Sequence, residues 1–275
     1  RLVSVTGVQT CALPIYALAL WRRYGTSSSL RALGAEMEAL LWTDIARYYH
    51  AGLRNLAGPF DRSYGMDMRR YAAVVGMWLW LAVGRDAAPF PWPHERFAHA
   101  HDFLFAPPAA LLGAVAPAAV LPHLQAFQGE RQVEQVIADA PRRVATAWLE
   151  ERLMIGAEHA SGSKRGHVQY HPATMHWRVG ENDVGWLRLV HTEPVDAVAS
   201  KRKLEIEGSG EIAFQVCAPG AKAGDVTGTL WHLPGLRVAV SGAGAAPCSP
   251  GRPPPCGDAY RIQCHQFGAR RALAL

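Results

Sequence analysis

The richest group of chemically useful side chains lies in the string NLAGPFDRSYGMDM, residues 55–68. Glycine and proline shape this segment as a loop, where functional groups often sit. Tyr64 follows closely on Arg62, and a nearby guanidinium favours the phenolate form that a proton shuttle needs. Asn55 and Arg62 can bind a carboxylate and stabilise an enolate-like intermediate, and Asp67 could contact a substrate. The structural alternative is that these side chains pack, form ion pairs or cap a helix.

Two other polar stretches could contribute to a site. QAFQGERQVEQ, residues 125–135, lies where helical periodicity gives way to strand periodicity, and clefts form at such junctions. GAEHASGSKRG, residues 156–166, is typical of a polar hairpin loop. The alternatives are a structural salt bridge in the first stretch and a solvated loop in the second. The candidate substrate-binding residues from these stretches are Gln128, Glu130, Arg131 and Glu158.

Histidine spacing argues against a metal centre. His99 and His101 are two residues apart, so on a helix their side chains would diverge by about 200° and could not share an ion. His171 and His176 are five apart, which places them on opposite faces of a regular strand. The sequence contains no P-loop, dinucleotide fingerprint, nucleophile elbow or paired CxxC. We therefore predict neither a metal nor a cofactor.

Both ends of the chain differ from its body. Residues 5–15, VTGVQTCALPI, resemble a translated sequencing adapter, so we expect residues 1–15 to be an artefact that replaces a missing upstream part. Residues 242–275 are rich in Gly, Pro, Ala and Arg and hold three cysteines. We expect a low-complexity or frame-shifted tail there. The sequence thus assigns neither a compartment nor an oligomeric state.

Between these ends the periodicity changes once. Apolar residues recur every three or four positions from Leu30 to Tyr48, which predicts a helix capped by Ser27, Ser28 or Ser29. A second, apolar helix is expected over residues 68–83 with Asp67 as its cap, and shorter helices follow. From Glu130 onward, short runs of β-branched and aromatic residues alternate with turn signals. We predict an α+β protein with a helical domain at 16–128 and an antiparallel β domain at 129–241.

Composition excludes several classes of function. Hydrophobic residues make up 49% and charged residues 19%, as expected for a globular chain. The net charge of +5 is scattered, and no basic tract interleaved with aromatic residues predicts nucleic-acid binding. The longest apolar run, residues 71–83, falls short of the roughly twenty residues that cross a bilayer. We predict no nucleic-acid or membrane partner.

The strings NLAGPFDRSYGMDM, FQGERQVEQVI and HPATMHW resemble an uncharacterised microbial family over residues 35–240. Its arrangement is similar to that of the heparinase and alginate lyase group. The resemblance implies a partial (α/α) toroid followed by an antiparallel β-sandwich, and β-elimination of an acidic, uronate-containing polysaccharide or oligosaccharide. Tyr64 would then shuttle the proton, Asn55 and Arg62 would bind the carboxylate, and His99 or His101 would be a second base.

Two alternatives remain open. Glycoside hydrolysis on a helical toroid would need a pair of carboxylates, whose separation decides inversion or retention. The candidates for that pair are Asp61, Asp67, Glu130 and Glu158. A non-catalytic carbohydrate-binding or structural protein could instead use tryptophans along a groove, although strand alternation favours burying them in the core. Those tryptophans are Trp148, Trp177, Trp186 and Trp231.

Overall fold

The computed structural model describes residues 12–89, 99–160, 169–191, 193–208, 212–226, 228–241, 249–250, 262–266 and 270–275. They divide into a helical unit, which extends to Leu56 and resumes over Asp61–Gly129, and a β unit, which comprises Ala57–Phe60 and the chain from Glu130 onward. The predicted α+β class with antiparallel sheets is confirmed. Most of the adapter-like stretch lies outside the described residues, but Ile15 is buried within a helix.

The helical unit contains five α-helices among the described residues, one 3-10 helix and a short hairpin. The helices are α1 (Ala12–Tyr24), α2 (Ser28–Tyr48), α3 (Val74–Val83), α4 (Ala106–Leu112) and α5 (Leu121–Gln125), with the 3-10 helix at Ala100–Phe105. The hairpin pairs β1 (Tyr49–His50) with β2 (Asn55–Leu56). No helix formed by the described residues is long and apolar enough to span a membrane.

Helix α2 begins as predicted but buries a somewhat different face. The Ser27 hydroxyl caps it by accepting a hydrogen bond from the Leu30 amide at 3.2 Å. Leu33 and Leu40 of the predicted apolar stripe are exposed, whereas Gly34 and Glu38 are buried. The cause is the close approach of α1. A β-carbon on Gly34 would collide with the backbone of α1, and Glu38 accepts a 2.6 Å hydrogen bond from Arg22 of α1.

The prediction that Asp67 caps an apolar helix over residues 68–83 is wrong. Helix α3 begins at Val74, after an irregular stretch in which Arg70 donates to the Asp67 carbonyl and Ala73 donates to the Tyr71 carbonyl. The Asp67 carboxylate accepts from the Arg69 amide at 3.1 Å, as a cap would, but no helix propagates from it. Residues 55–73 therefore comprise β2 and the long loop that connects it to α3, together called the 55–73 loop.

The β unit contains two antiparallel sheets. Its strands are β3 (Arg131–Asp139), β4 (Arg142–Glu150), β5 (Leu153–His159), β6 (Ala173–Arg178), β7 (Val184–His191), β8 (Val195–Ser200), β9 (Lys203–Gly208), β10 (Ile212–Cys217), β11 (Leu230–Leu233), β12 (Leu236–Ser241), β13 (Ser249–Pro250), β14 (Ile262–Gln266) and β15 (Arg270–Ala274), with a 3-10 turn at Ala223–Val226. Among the described residues, the larger sheet has the order β13-β14-β10-β7-β6-β5-β4-β3 and the smaller has the order β11-β12-β15-β9-β8.

One buried apolar cluster draws on both sheets. Ile155, Met175 and Leu187 come from the larger sheet, and Ala197 and Ile206 come from the smaller one. These residues occupy alternate strand positions, so each sheet directs one face toward the shared cluster. The opposite face of the larger sheet is also buried around β5 and β6, and there it carries polar side chains, among them Glu158, Thr174 and His176.

The C-terminal stretch expected to be a tail contributes strands. Strand β14 pairs with β10 in the larger sheet, and β15 lies between β12 and β9 in the smaller one. Residues 242–248, 251–261 and 267–269 lie outside the described residues. Strand β8 is absent from the sequence prediction, because its string VDAVAS offers alternation but few bulky or aromatic residues.

Candidate functional site

Asn55 organises the interior of the 55–73 loop. Its side-chain amide donates to the Leu53 carbonyl and to Oδ1 of Asp67, each at 3.0 Å, and its Oδ1 accepts from the Met68 amide at 2.8 Å. The residue has no solvent-exposed surface. The sequence suggested that Asn55 binds a substrate carboxylate, but its hydrogen-bonding groups are engaged within the loop. Asn55 therefore holds the loop in shape.

Asp67 is also part of this buried framework. It forms an ion pair with Arg69 at 2.9 Å and accepts from the Arg69 Nε at 3.0 Å. Burial alone would raise the pKa of the carboxyl, but the Arg69 charge and the hydrogen bonds from Arg69 and Asn55 outweigh burial and lower the pKa. Asp67, predicted to bind substrate, is thus an ionised residue that supports the loop from within.

Tyr64 projects from the same loop into solvent and has two notable neighbours. Its side chain is 41% exposed. The His99 ring lies with its centroid 4.5 Å from the Tyr64 centroid and tilted by 30°, and the Arg62 guanidinium carbon lies 5.2 Å from that centroid. The structure therefore brings together Tyr64, Arg62 and His99, three of the four residues that the sequence proposed as catalytic.

His99 adopts a backbone conformation that is uncommon for a residue with a side chain. Its φ of 57° and ψ of 33° are left-handed, immediately before the 3-10 helix. Such strain is concentrated at functional sites. The turn also brings in Asp102, so that ligand atoms of His99, His101 and Asp102 all lie within 4.8 Å of one another. The sequence argument assumed that both histidines lie on a helix, and His99 precedes it.

Several other tyrosines of the helical unit differ from Tyr64 because burial raises the pKa of their phenols. It raises the pKa of Tyr16 to about 12, and it raises the pKa of Tyr48, Tyr49 and Tyr71 further. These phenols stay protonated at neutral pH. Tyr24 is exposed like Tyr64 and has Arg23 5.6 Å from its ring centroid. It provides a natural comparison for the Arg62–Tyr64 pair.

The β unit carries a separate group of buried polar residues on its larger sheet. Glu158 is fully buried and accepts a short, charge-assisted hydrogen bond from Arg143 Nε. Burial raises the pKa of the neighbouring Tyr170, and the Glu158 charge raises it further. Glu158 was predicted to lie in a polar loop and to contact substrate. It lies instead near the end of β5, where it neutralises an arginine.

A second pair of contacts runs across the same face. Arg188 donates to the Gln215 side-chain oxygen at 2.6 Å and to Nε2 of His171 at 3.1 Å. Nε2 of His171 is the acceptor, because a guanidinium can only donate. Sequence reasoning missed Arg188 and Gln215. The available signal was a polar side chain in the middle of an otherwise apolar strand, namely Arg188 in β7 and Gln215 in β10.

The remaining sequence candidates lie elsewhere. Gln128 is exposed and donates to the Pro122 and Ala126 carbonyls, and Glu130 is exposed. Arg131 is half-buried at the start of β3, and burial lowers its pKa. Of the four tryptophans considered for a binding groove, Trp177 and Trp231 are members of the apolar cluster.

Residues 7–114 match a family described as Domain of unknown function (DUF8769), and residues 128–249 match another described as Domain of unknown function (DUF8770). No curated protein and no solved structure matches the chain. The first match falls in the part of the chain that forms most of the helical unit, and the second covers most of the β unit. The chain is thus similar to two families of unknown function, and the 55–73 loop, which carries Tyr64, falls within the first match.

Proposed function

We propose that this protein cleaves uronate-containing polysaccharide by β-elimination, with Tyr64 as the proton shuttle. The observation that carries the proposal is that the exposed Tyr64 ring has the His99 ring at 4.5 Å and the Arg62 guanidinium at 5.2 Å as neighbours. These distances join ring centroids in the first case and the guanidinium carbon to the Tyr64 centroid in the second.

The chemistry needs one group that removes a proton and returns it. The Tyr64 phenolate removes the proton from C5 of the uronate, next to the carboxylate. The electrons of the C5–H bond form the C4–C5 double bond, and the bond from C4 to the glycosidic oxygen breaks. The departing oxygen takes that electron pair and receives the proton from the Tyr64 phenol. The phenolate is restored, so one residue completes the cycle.

Arg62 and His99 support this step in different ways. The Arg62 side chain is exposed beside the Tyr64 ring, where its charge can bind the uronate carboxylate. The His99 ring rests against Tyr64 and limits the orientations of the phenol. Asn55 and Asp67 hold the loop from within, at 3.0 Å from one another.

We also propose a specific architecture for each of the two units. The helical unit would be part of an incomplete (α/α) toroid, and the β unit would be an antiparallel sandwich. The apolar cluster drawn from both sheets supports the sandwich. Hydrolysis has less support, because two of its four candidate carboxylates, Asp67 and Glu158, are held in ion pairs by Arg69 and Arg143.

The test is an assay of the full chain on a panel of uronate polysaccharides, following the ultraviolet absorbance of the new conjugated double bond. We expect Tyr64→Phe to abolish the signal, because general acid–base groups contribute about 10²- to 10⁴-fold in rate. Tyr24→Phe is the matched control and should retain full activity, since Tyr24 has an arginine neighbour but no ring contact with a histidine among the described residues.

Two outcomes would overturn the proposal. One is the absence of unsaturated product on every polysaccharide tested, with or without new reducing ends. The other is a Tyr64→Phe variant that forms unsaturated product as fast as the unaltered protein does. New reducing ends without unsaturation would point to hydrolysis.

A further inference from the structure

We propose that His99, His101 and Asp102 form a binding site for a divalent transition-metal cation of the zinc class. Their ligand atoms, one from each side chain, all lie within 4.8 Å of one another. Two imidazoles and one carboxylate form a ligand set that suits zinc and related ions. The site shares His99 with the proposed elimination centre, but binding of the ion is measured without substrate, so the two proposals can fail separately.

The spacing within the cluster suits an ion better than direct hydrogen bonds. Nδ1 of His99 lies 3.8 Å from Oδ2 of Asp102, and Nε2 of His101 lies 3.4 Å from Oδ1 of the same carboxylate. An N–H···O hydrogen bond spans about 2.7–3.2 Å, so both separations are longer. Ligand atoms around a tetrahedral zinc with bonds of 2.0–2.1 Å are about 3.3–3.5 Å apart. The His101–Asp102 pair already has this spacing. The His99–Asp102 pair, which uses the other carboxylate oxygen, and the two imidazole nitrogens, which lie within 4.8 Å of one another, would have to close onto the ion.

The backbone explains why three residues so close in sequence can converge. His99 lies immediately before the 3-10 helix, and the Asp102 amide closes the first turn by donating to the His99 carbonyl at 2.9 Å. The left-handed conformation of His99, with φ at 57°, directs the chain into this turn. His101 is the intervening residue with the freest side chain.

Exposure gives the cluster the character of an open site. The side chain of His101 is 72% exposed, that of His99 is 28% exposed and that of Asp102 is 15% exposed. The two less exposed residues would anchor the ion and His101 would close over it. Three protein ligands leave a coordination position for water or for an oxygen of a bound molecule, as in catalytic zinc sites.

The experiment is calorimetric titration of the chelator-treated full chain with Zn²⁺, comparing the unaltered protein with His101→Ala and Asp102→Asn. We expect the unaltered protein to bind one ion at this site. In each variant that binding should be lost or become at least tenfold weaker. His101→Ala cannot be dismissed as misfolded, because its side chain is largely in solvent. Any zinc that binds to cysteines instead would bind equally to the unaltered protein and to both variants, so it would not produce this difference.

The matched control is His159→Ala. His159 also faces a carboxylate, with Nδ1 3.3 Å from Oδ1 of Asp196, but it belongs to no three-ligand cluster among the described residues. It should bind Zn²⁺ like the unaltered protein. The proposal fails if no saturable binding is seen, if His101→Ala binds as tightly as the unaltered chain, or if His159→Ala loses as much affinity as His101→Ala.

Discussion

A β-carbon on Gly156 would overlap the backbone carbonyl of Gly58. Strand β5 therefore admits the segment Ala57–Phe60 only because position 156 has no side chain. The Gly58 amide donates to the Thr174 hydroxyl at 3.1 Å, and Phe60 exchanges backbone hydrogen bonds with His171. These contacts attach the segment to the larger sheet of the β unit.

Gly156→Ala should destabilise the β unit. The methyl group would meet backbone rather than a movable side chain, and overpacking typically costs about 1–3 kcal/mol. Urea denaturation followed by tryptophan fluorescence would measure the change. The control is Gly224→Ala, because a β-carbon there meets no atom within 4 Å. Equal stability of the two variants would contradict the close contact.

The Asp67 carboxyl should make stability depend on pH in the acid range. Its pKa is lowered in the folded protein, so its contribution is fully present above the unfolded-state value of about 3.9 and is lost as pH falls from there toward the folded value. Asp67→Asn should therefore be less stable at neutral pH, by an amount that shrinks below about pH 4. Denaturant titrations at several pH values test this. The control is Asp86→Asn, at an exposed position, whose stability should differ little from that of the unaltered protein at every pH tested.

Removal of Glu158 should be costly because the Arg143 guanidinium would lose its buried partner. The Glu158 side chain is 0% exposed and that of Arg143 is 20% exposed. Glu158→Ala should reduce the free energy of unfolding by about 2–4 kcal/mol. Glu205→Ala removes an exposed pair with Lys203 and should cost less than about 1 kcal/mol. If the two variants lose the same stability, the Arg143–Glu158 pair is not a structural element of the sheet.

Arg62→Met should slow elimination without unfolding the loop. Loss of one charge-assisted interaction of about 1.5–3 kcal/mol corresponds to roughly a 10- to 100-fold decrease in kcat/KM. The kinetics on the best polysaccharide from the panel provide the measurement. Arg23→Met is the control, because it removes the arginine beside Tyr24. An equal decrease in both variants would mean that general surface charge, rather than Arg62, assists the reaction.

Sequence patterns predicted the elements better than their packing. The Ser27 cap and strand β7 were recognised because hydroxyl capping and strand alternation are local properties. The exposure of Leu33 depends on how closely α1 approaches Gly34, which is a tertiary effect. Local pattern could not reveal it.

The candidate site shows the same division. Tyr64 and Arg62 were identified from residue type and proximity in sequence. The meeting of Tyr64 with His99 crosses 35 positions of chain and depends on the loop that Asn55 organises. The convergence of His99 with Asp102 depends on one left-handed residue, and periodicity carries no information about such a residue.

The position of β15 has a consequence for the order of folding. This strand supplies the hydrogen bonds between β12 and β9 that join the two sides of the smaller sheet. Strands β8 with β9, and β11 with β12, can each form a hairpin as soon as they are synthesised. The sheet that unites them must wait until Arg270–Ala274 has left the ribosome, so it is completed only after both hairpins can have formed.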